Sequence, residues 1–418
     1  MERVEAVKTW AVALCAALLV AGDASAYSVL THEANIDAAW DAGIRPLLAR
    51  RFPRATRDDI TKARAYAYGG SVIQDLGYYP FGSHFFTNLV HYVRSGDFVE
   101  AMIRDARDLD EYAFALGALA HYTADNTGHP EAVNKAVALM FPKVKAKYGN
   151  APTYVESPAS HIIAEYSFDV VQVASGAYLP ESYHAFIGFD VSRPLLERAF
   201  RETYGLEMKD VFADEDLAIG SYRRSVSTLI PELTQIAWRD KQEQIAKLTP
   251  GVKAETFVFR YTRGQYEQEF GMRYERPGLF ARFLGLLFKL VPKIGPLKPL
   301  SFKTPTPDAE ALFAHSFKDT HARYAAALDA VGRRRLDLAN TDFDTGKTAV
   351  HGEYSLADDT YAELLDRLSS LQFATVTPAL RRNIEAFYRA APDRTASRKE
   401  RRHAKKIQQK LEALRATR

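Results

Sequence analysis

The chain has 418 residues, of which 47% are hydrophobic and 26% are charged. This composition is typical of a globular protein and excludes a wholly disordered or collagen-like chain. The single cysteine excludes an intrachain disulfide and a cysteine-rich zinc module. The net charge of +3 is too small to indicate a nucleic-acid-binding protein by itself.

The amino-terminal residues have the pattern of an export signal. An apolar run from Thr9 to Gly22 follows two basic residues, and Ala24-Ser25-Ala26 matches a signal-peptidase cleavage site. The run is shorter than the roughly 20 residues that a membrane span needs. We predict a cleaved signal peptide over residues 1–26, with Tyr27 as the mature amino terminus, and therefore a periplasmic or extracellular protein. An uncleaved membrane anchor is the alternative.

The remainder of the chain has helical periodicity, without a convincing run of alternating strand residues. The pattern predicts Thr56 as a helix N-cap, and the apolar stretch that ends at Asp125 as a central, buried helix. Pro231 should interrupt a helix between Leu217 and Lys247, and Phe257–Thr262 could form a strand. At least one long helix is predicted within Asp97–Asp125, and further helices are predicted over Glu33–Leu48, Ser160–Ser175, Ser192–Tyr204, Asp308–Val331 and Asp358–Leu371. The predicted fold class is all-α, a multi-helix bundle.

Two segments differ from the rest in composition. Residues 279–302 are strongly apolar and carry only basic charges, which fits either a buried helix with a proline-rich loop or a surface that contacts lipid. Residues 393–418 contain ten basic and three acidic side chains. This basic tail fits a solvated, partly helical terminus, and contact with anionic lipid or another polyanion is the alternative.

Histidines and carboxylates recur at short intervals in the first half of the chain. His121 and Asp125 are four residues apart, so on a helix they share one face, and His129 follows after four more. His161 and Glu165 repeat this spacing on a second predicted helix. A buried imidazole and carboxylate must be paired or bind a metal, because bare burial costs several kcal/mol. Histidine with carboxylate, without thiols, suits zinc sites of the catalytic type.

Ligand-type residues also lie upstream, at His32, Asp75 and His91. Any one of these pairs is weak evidence, because most helical histidine–aspartate pairs are ordinary polar contacts. We leave the other histidines, His315 among them, out of the predicted site.

Taken in chain order, these residues resemble the zinc-dependent phospholipase C superfamily, which also includes the single-strand-specific P1/S1-type nucleases. Such relatives are all-α bundles that hold three zinc ions in a cleft. Their ligands run as the mature amino-terminal residue, His, Asp, His, His-x3-Asp, His and His-x3-carboxylate. This sequence supplies them as Tyr27, His32, Asp75, His91, His121, Asp125, His129, His161 and Glu165. The resemblance covers residues 27 to about 170.

The resemblance implies a role for each residue. One zinc ion would be held by Asp75, His91, His121 and Asp125, a second by Tyr27 and His32 with Asp125 as the bridge, and a third by His129, His161 and Glu165. The free α-amine of Tyr27 would be a ligand, so the signal peptide would have to be removed. Asp75 would also act as the base that orients or deprotonates the attacking water.

This sequence departs from the usual family pattern in two ways. The first residue is Tyr27 where relatives usually have Trp, and backbone ligation does not need the indole. His129 follows Asp125 after four residues where the toxin-like enzymes and nucleases usually have six, which is more similar to the glycosylphosphatidylinositol-phospholipase branch. In this reading the chain divides into a zinc-dependent phospholipase C-like helical domain (27–240), a C-terminal helical region (241–392) and the basic tail.

Three zinc ions suit phosphodiester hydrolysis, because they neutralise the phosphate, lower the pKa of bound water to about 7 and stabilise the leaving oxygen. We predict an exported, phospholipase C-like zinc phosphodiesterase that acts on phospholipid or another phosphodiester and contacts membrane through residues 279–302 and the basic tail. No specific protein partner is predicted. One alternative is a P1/S1-type nuclease or nucleotidase, in which Tyr78, Tyr79, Phe81, Phe85 and Phe86 would stack bases. The other is a membrane-associated, metal-binding helical protein without activity.

Overall fold

The computed structural model describes residues 28–175, 188–226, 303–389 and 398–417. These residues are mostly helical and include a single short hairpin, so the predicted all-α class is confirmed. Several predictions lie outside the described residues: the signal peptide, Tyr27, the kink at Pro231, the strand at Phe257–Thr262, the boundary at residue 240 and the apolar segment 279–302. No helix within the described ranges combines the length and apolar character that crossing a membrane requires.

The helices of the first half are α1 (Val29–Ala39), α2 (Arg45–Arg51), α3 (Arg57–Gly70), α4 (His84–Tyr92), α5 (Ser95–Asp105), α6 (Leu109–Gly128), α7 (Asn134–Met140), α8 (Pro142–Tyr148) and α9 (Pro158–Ser175). Those that follow are α10 (Arg193–Tyr204), α11 (Met208–Val211), α12 (Glu215–Arg224), α13 (Pro307–Gly332), α14 (Ser355–Ser370), α15 (Pro378–Phe387) and α16 (Arg398–Ala416). The antiparallel hairpin pairs β1 (Thr341–Asp342) with β2 (Lys347–Thr348).

Local sequence signals explain where several helices begin. The Thr56 side chain accepts a hydrogen bond from the backbone amide of Asp59, and the Asp59 carboxylate accepts one from the amide of Thr56. This reciprocal capping box confirms Thr56 as the N-cap of α3. The long helix predicted within Asp97–Asp125 is confirmed by α6, whose start Asp108 caps through the amide of Glu111, and α5 is a separate helix before it.

Two π-helical segments interrupt the regular helices. Trp40–Ile44 joins α1 to α2, within the single helix predicted over Glu33–Leu48, and His129–Val133 joins α6 to α7. Glycine and proline flank His129 at Gly128 and Pro130, a pattern that favours a bend. Gly128 instead keeps right-handed helical dihedrals (φ −62°, ψ −48°), and the helix continues through the wider π turn. Such π turns are frequent at functional sites.

The centre of the bundle is the contact between α3 and α6. Both helices carry glycine where their backbones meet. A Cβ atom at Gly70 would overlap the carbonyl oxygen of Phe114, and one at Gly117 would overlap that of Ala67. The two glycines therefore permit a backbone approach that any larger residue would prevent. Because α6 is buried nearly all round, as predicted, its carboxyl-terminal half lies in the middle of the protein.

The chain beyond residue 303 packs against this bundle. The Tyr324 hydroxyl on α13 donates to the carbonyl oxygen of Leu116 on α6, over 2.9 Å. The segment after α13 is fixed by the Tyr122 hydroxyl, which donates to the carbonyl of Ala339, and by reciprocal hydrogen bonds between Ser95 and Thr341. The hairpin is thereby held close to the ends of α4 and α6.

Candidate metal centre

The predicted ligand residues that the structure describes come from separate elements and meet in the interior. His32 lies on α1, Asp75 in the 3₁₀ turn Ile73–Tyr78, and His91 on α4. The carboxyl-terminal half of α6 and the following π segment carry His121, Asp125 and His129, and α9 carries His161 and Glu165. All of these side chains are buried. Tyr27 lies outside the described residues.

The first group of ligand atoms belongs to Asp75, His91 and His121, and these atoms all lie within 4.8 Å of one another. The Asp75 Oδ1 atom is 3.4 Å from His91 Nε2 and 3.9 Å from His121 Nε2. The hydroxyl of Thr87, one turn before His91, accepts from the amide of Gly77 and donates to the carbonyl of Gln74. These two bonds fix the 3₁₀ turn that carries Asp75 against α4.

The second group consists of His32, His121 and Asp125, again within 4.8 Å. Asp125 Oδ1 lies 3.5 Å from His32 Nε2, whereas Oδ2 lies 3.1 Å from His121 Nε2 and 3.5 Å from His91 Nε2. The two oxygens of one carboxylate therefore face two different groups of histidines.

The third group is His129, His161 and Glu165, whose ligand atoms also lie within 4.8 Å. His161 Nδ1 and Glu165 Oε1 are 3.9 Å apart, one turn from each other on α9. The rings of His129 and His161 lie 6.2 Å apart, measured between centroids. The structure thus brings the eight described residues together in three groups. The third has the members that the resemblance implies, whereas His121 joins both of the other two and Asp125 is grouped with His32 and His121.

Backbone carbonyls fix the orientation of three of the imidazoles. Nδ1 of His91 lies 2.9 Å from the carbonyl oxygen of Thr87, and Nδ1 of His121 lies 2.9 Å from that of Ser71. His161 uses the opposite nitrogen, with Nε2 2.8 Å from the carbonyl of Pro152. Because a carbonyl oxygen only accepts, each of these nitrogens carries the proton. The other nitrogen of each ring therefore faces the centre, where it can bind a metal once it carries no proton.

Several of these inward-facing atoms make no hydrogen bond with the described part of the chain: His91 Nε2, His121 Nε2, both carboxylate oxygens of Asp125, His161 Nδ1 and Glu165 Oε1. A buried polar atom left unsatisfied costs about 1–3 kcal/mol. Grouped imidazole nitrogens and carboxylate oxygens are the donor set that zinc prefers, so the residues fit zinc.

The electrostatics of the centre depend on which neighbours each group has. Burial alone would lower the pKa of His91, but the adjacent carboxylates of Asp125 and Asp75 raise it to about 10. Burial lowers the pKa of His161 to about 3 and that of His129 to about 4. The pKa of Glu165 is raised well above its usual value, chiefly by burial. The carboxylates of Asp75 and Asp125 therefore favour positive charge beside them, which either a protonated His91 or a bound cation supplies.

Sequence reasoning missed two residues next to the centre. Asp344 Oδ1, in the turn of the hairpin, lies 3.3 Å from His129 Nε2, and the Phe343 ring packs on His91 with centroids 5.0 Å apart. Both are buried. The only indication in the sequence was the pair of acidic residues in Asp342-Phe-Asp344. No histidine lies three or four residues from either of them, so the helix pattern that indicated the other ligands does not apply.

The fold and the centre define a class: an all-α protein with a buried, thiol-free array of histidines and carboxylates suited to metal ions. Residues 31–214 match the model of the zinc dependent phospholipase C family. The match confirms the resemblance, and this segment belongs to that family. Searches of curated proteins and of solved structures found no significant match.

Proposed function

We propose that the protein is an exported, zinc-dependent phosphodiesterase of the phospholipase C type. The observation that supports this proposal most strongly is the way the groups of ligand atoms join. His121 belongs to two of the groups, and Asp125 faces both. A cluster of linked cations suits a phosphate ester, because its non-bridging oxygens carry the negative charge that must be neutralised for attack.

In this proposal Asp75, His91, His121 and Asp125 hold one ion, and His129, His161 and Glu165 hold another. His32 holds the third ion together with Tyr27, which becomes the first residue after export. When bound, zinc supplies Lewis acidity that neutralises the phosphate and acidifies water.

Asp75 has a second task in the proposed reaction. Its carboxylate lies at the edge of the first group, 3.4 Å from His91 Nε2 and 3.9 Å from His121 Nε2. There it orients the attacking water and accepts its proton. Burial of the centre keeps bulk water from competing for the same hydrogen bonds and strengthens the interactions of the carboxylate with its neighbours.

The nuclease alternative receives less support from the aromatic cluster. Phe85 and Phe86 are buried in the hydrophobic core, and Tyr78 is buried with its ring near His84 and His91, so these three side chains cannot stack on bases. Phe81 is the exposed member, with 58% of its surface accessible. A single exposed ring is a small platform for single-stranded nucleic acid. We therefore favour a lipid phosphodiester as substrate, with membrane contact through residues 279–302 and the basic tail.

The test compares three substrates with processed, zinc-loaded protein that begins at Tyr27. We expect release of diacylglycerol from phosphatidylcholine vesicles, hydrolysis of a short soluble phosphodiester and little cleavage of single-stranded DNA. His121→Ala should abolish all activity, because His121 belongs to two of the ligand groups. Faster cleavage of DNA than of lipid would favour the nuclease. A protein that binds zinc yet hydrolyses none of the three substrates would contradict the proposal.

A further inference from the structure

The hairpin turn between β1 and β2 reaches the metal centre from outside the family-matched segment 31–214. Its residue Asp344 is buried, and Oδ1 lies 3.3 Å from Nε2 of His129. Neither ring nitrogen of His129 makes a hydrogen bond within the described chain. His129 therefore differs from His91, His121 and His161, each of which has a backbone carbonyl against one nitrogen. At His129 the corresponding neighbour is a carboxylate.

Three elements hold this carboxylate in place. Its Oδ2 atom accepts hydrogen bonds from the hydroxyls of Tyr92, over 3.1 Å, and of Tyr354. The backbone carbonyl of Asp344 accepts from the side-chain amide of Asn134, over 2.8 Å. With Oδ2 occupied, Oδ1 is the oxygen left to face His129. A residue whose carboxylate is fixed from α4 and from the start of α14, and whose backbone is fixed from α7, can orient a neighbouring side chain.

We propose that Asp344 is the positioning residue for His129 at the third metal site. In the metal-loaded protein the imidazole would donate Nε2–H to Asp344 Oδ1, which lies 3.3 Å away, and would bind the metal through Nδ1, which is buried and has no hydrogen-bond partner in the described chain. This inference rests on the proposed zinc centre. Asp344 is not proposed as a metal ligand itself. Its carboxylate belongs to none of the groups of described ligand atoms that lie within 4.8 Å of one another.

A carboxylate behind a metal-bound histidine fixes the ring tautomer and makes the ligand more basic. Removing such a partner typically weakens metal binding about 10- to 100-fold. Asp344→Ala in the full processed protein should therefore weaken retention of one zinc ion by this factor and leave the others in place. Asp344→Asn should weaken zinc retention less than Asp344→Ala does, because the amide oxygen of asparagine still accepts a hydrogen bond. Zinc is counted by mass spectrometry after dialysis against chelators of graded affinity.

The matched control is Asp342→Ala, two residues away in the same hairpin. Asp342 is also buried, but its oxygens accept from the amide and hydroxyl of Thr345 rather than facing a histidine. This variant should keep every zinc ion. A second readout is the ¹⁵N spectrum of histidine-labelled, zinc-loaded protein. The Nε2–H resonance of His129 should be protected from exchange in the wild type, and should shift in both Asp344 variants.

Each outcome tests a different statement. If the wild-type protein binds no zinc, the proposed function fails. If it binds zinc and Asp344→Ala retains every ion as firmly, only the positioning role is overturned. Loss of the same ion from Asp342→Ala would also overturn it, because the hairpin would then act as general support. Should Asp344→Ala not fold, a folded Asp344→Asn with unchanged zinc retention and an unshifted His129 resonance would overturn the inference.

Discussion

Two helices of this protein carry a histidine followed four residues later by an aspartate, and the two pairs differ in almost everything else. On α6, His121 Nε2 and Asp125 Oδ2 are 3.1 Å apart; on α13, His315 Nδ1 and Asp319 Oδ2 are 3.2 Å apart. The first pair is fully buried, whereas the side chains of the second are 73% and 38% exposed. Spacing alone therefore brings the two groups together and does not decide what they do.

Their neighbours explain the difference. His121 and Asp125 are surrounded by further imidazoles and carboxylates, so a cation there gains several ligands at once. The exposed pair has one more candidate ligand, Glu131, and that carboxylate is already paired with the Arg323 guanidinium at 2.6 Å. A fixed positive charge beside a potential ligand opposes binding of a cation, and water competes for the remaining atoms.

The difference between the buried and the exposed pair is tested most directly by making the same substitution in both. Asp125→Asn should remove more than one equivalent of zinc and reduce phosphodiester hydrolysis to background, because its two oxygens face two groups of histidines. Asp319→Asn should change neither. Zinc content by mass spectrometry and turnover of a soluble phosphodiester measure both effects. Full metal content and turnover in Asp125→Asn would exclude the bridging role.

The amino terminus offers a second test, with a smaller effect. A protein made in the cytosol with Met before Tyr27 cannot present the α-amine of Tyr27, and an amide nitrogen is a poor metal ligand. We expect this form to bind one zinc ion less firmly and to turn over more slowly than protein processed at Tyr27. If the two forms have equal metal content and equal rates, the amino-terminal ligand is excluded, and the buried centre is a two-zinc site.

The pH dependence of zinc binding provides a further test of the difference between the buried centre and the exposed pair. Without metal, the pKa of about 10 keeps His91 protonated at pH 7, and the raised pKa of Glu165 favours its protonated form. Zinc must displace these protons, so the loaded state carries fewer protons and affinity rises with pH. The slope should be about tenfold per pH unit for each proton displaced. Competitive titrations at pH 6, 7 and 8 measure it. Asp319→Asn should leave the slope unchanged, and a flat profile would contradict the charge assignments.

The smallest expected effect concerns the apolar segment 279–302, far in sequence from either pair. Replacing Phe283 and Phe288 by Ser should weaken binding to phospholipid vesicles and leave hydrolysis of a short soluble phosphodiester nearly unchanged. Sedimentation with vesicles and the soluble assay separate the two properties. If both fall together with thermal stability, the segment is part of the core and the proposed membrane contact is wrong.

The sequence predicted the helical architecture well because long amphipathic and apolar helices leave a clear periodic pattern. The N-cap at Thr56 and the buried helix through Asp125 follow from that pattern. The π segment at His129 was missed, since a single wider turn changes no periodicity. The ligand order came from the resemblance, whereas the carbonyl of Ser71 behind His121 depends on how helices pack. Asp344 was missed because its contact with His129 joins distant parts of the chain through a hairpin too short to leave a strand pattern.

The packing of the hairpin on α4 has a consequence for the order in which the protein is completed. The amide of Phe343 donates to the carbonyl of His91, and Tyr92 and Asp344 meet although 252 residues separate them in the chain. Every ligand residue described above precedes the hairpin in the chain by more than 170 residues. A chain truncated before the hairpin would therefore contain every described ligand residue and would lack Phe343 and Asp344, which contact His91 and His129 in the complete protein.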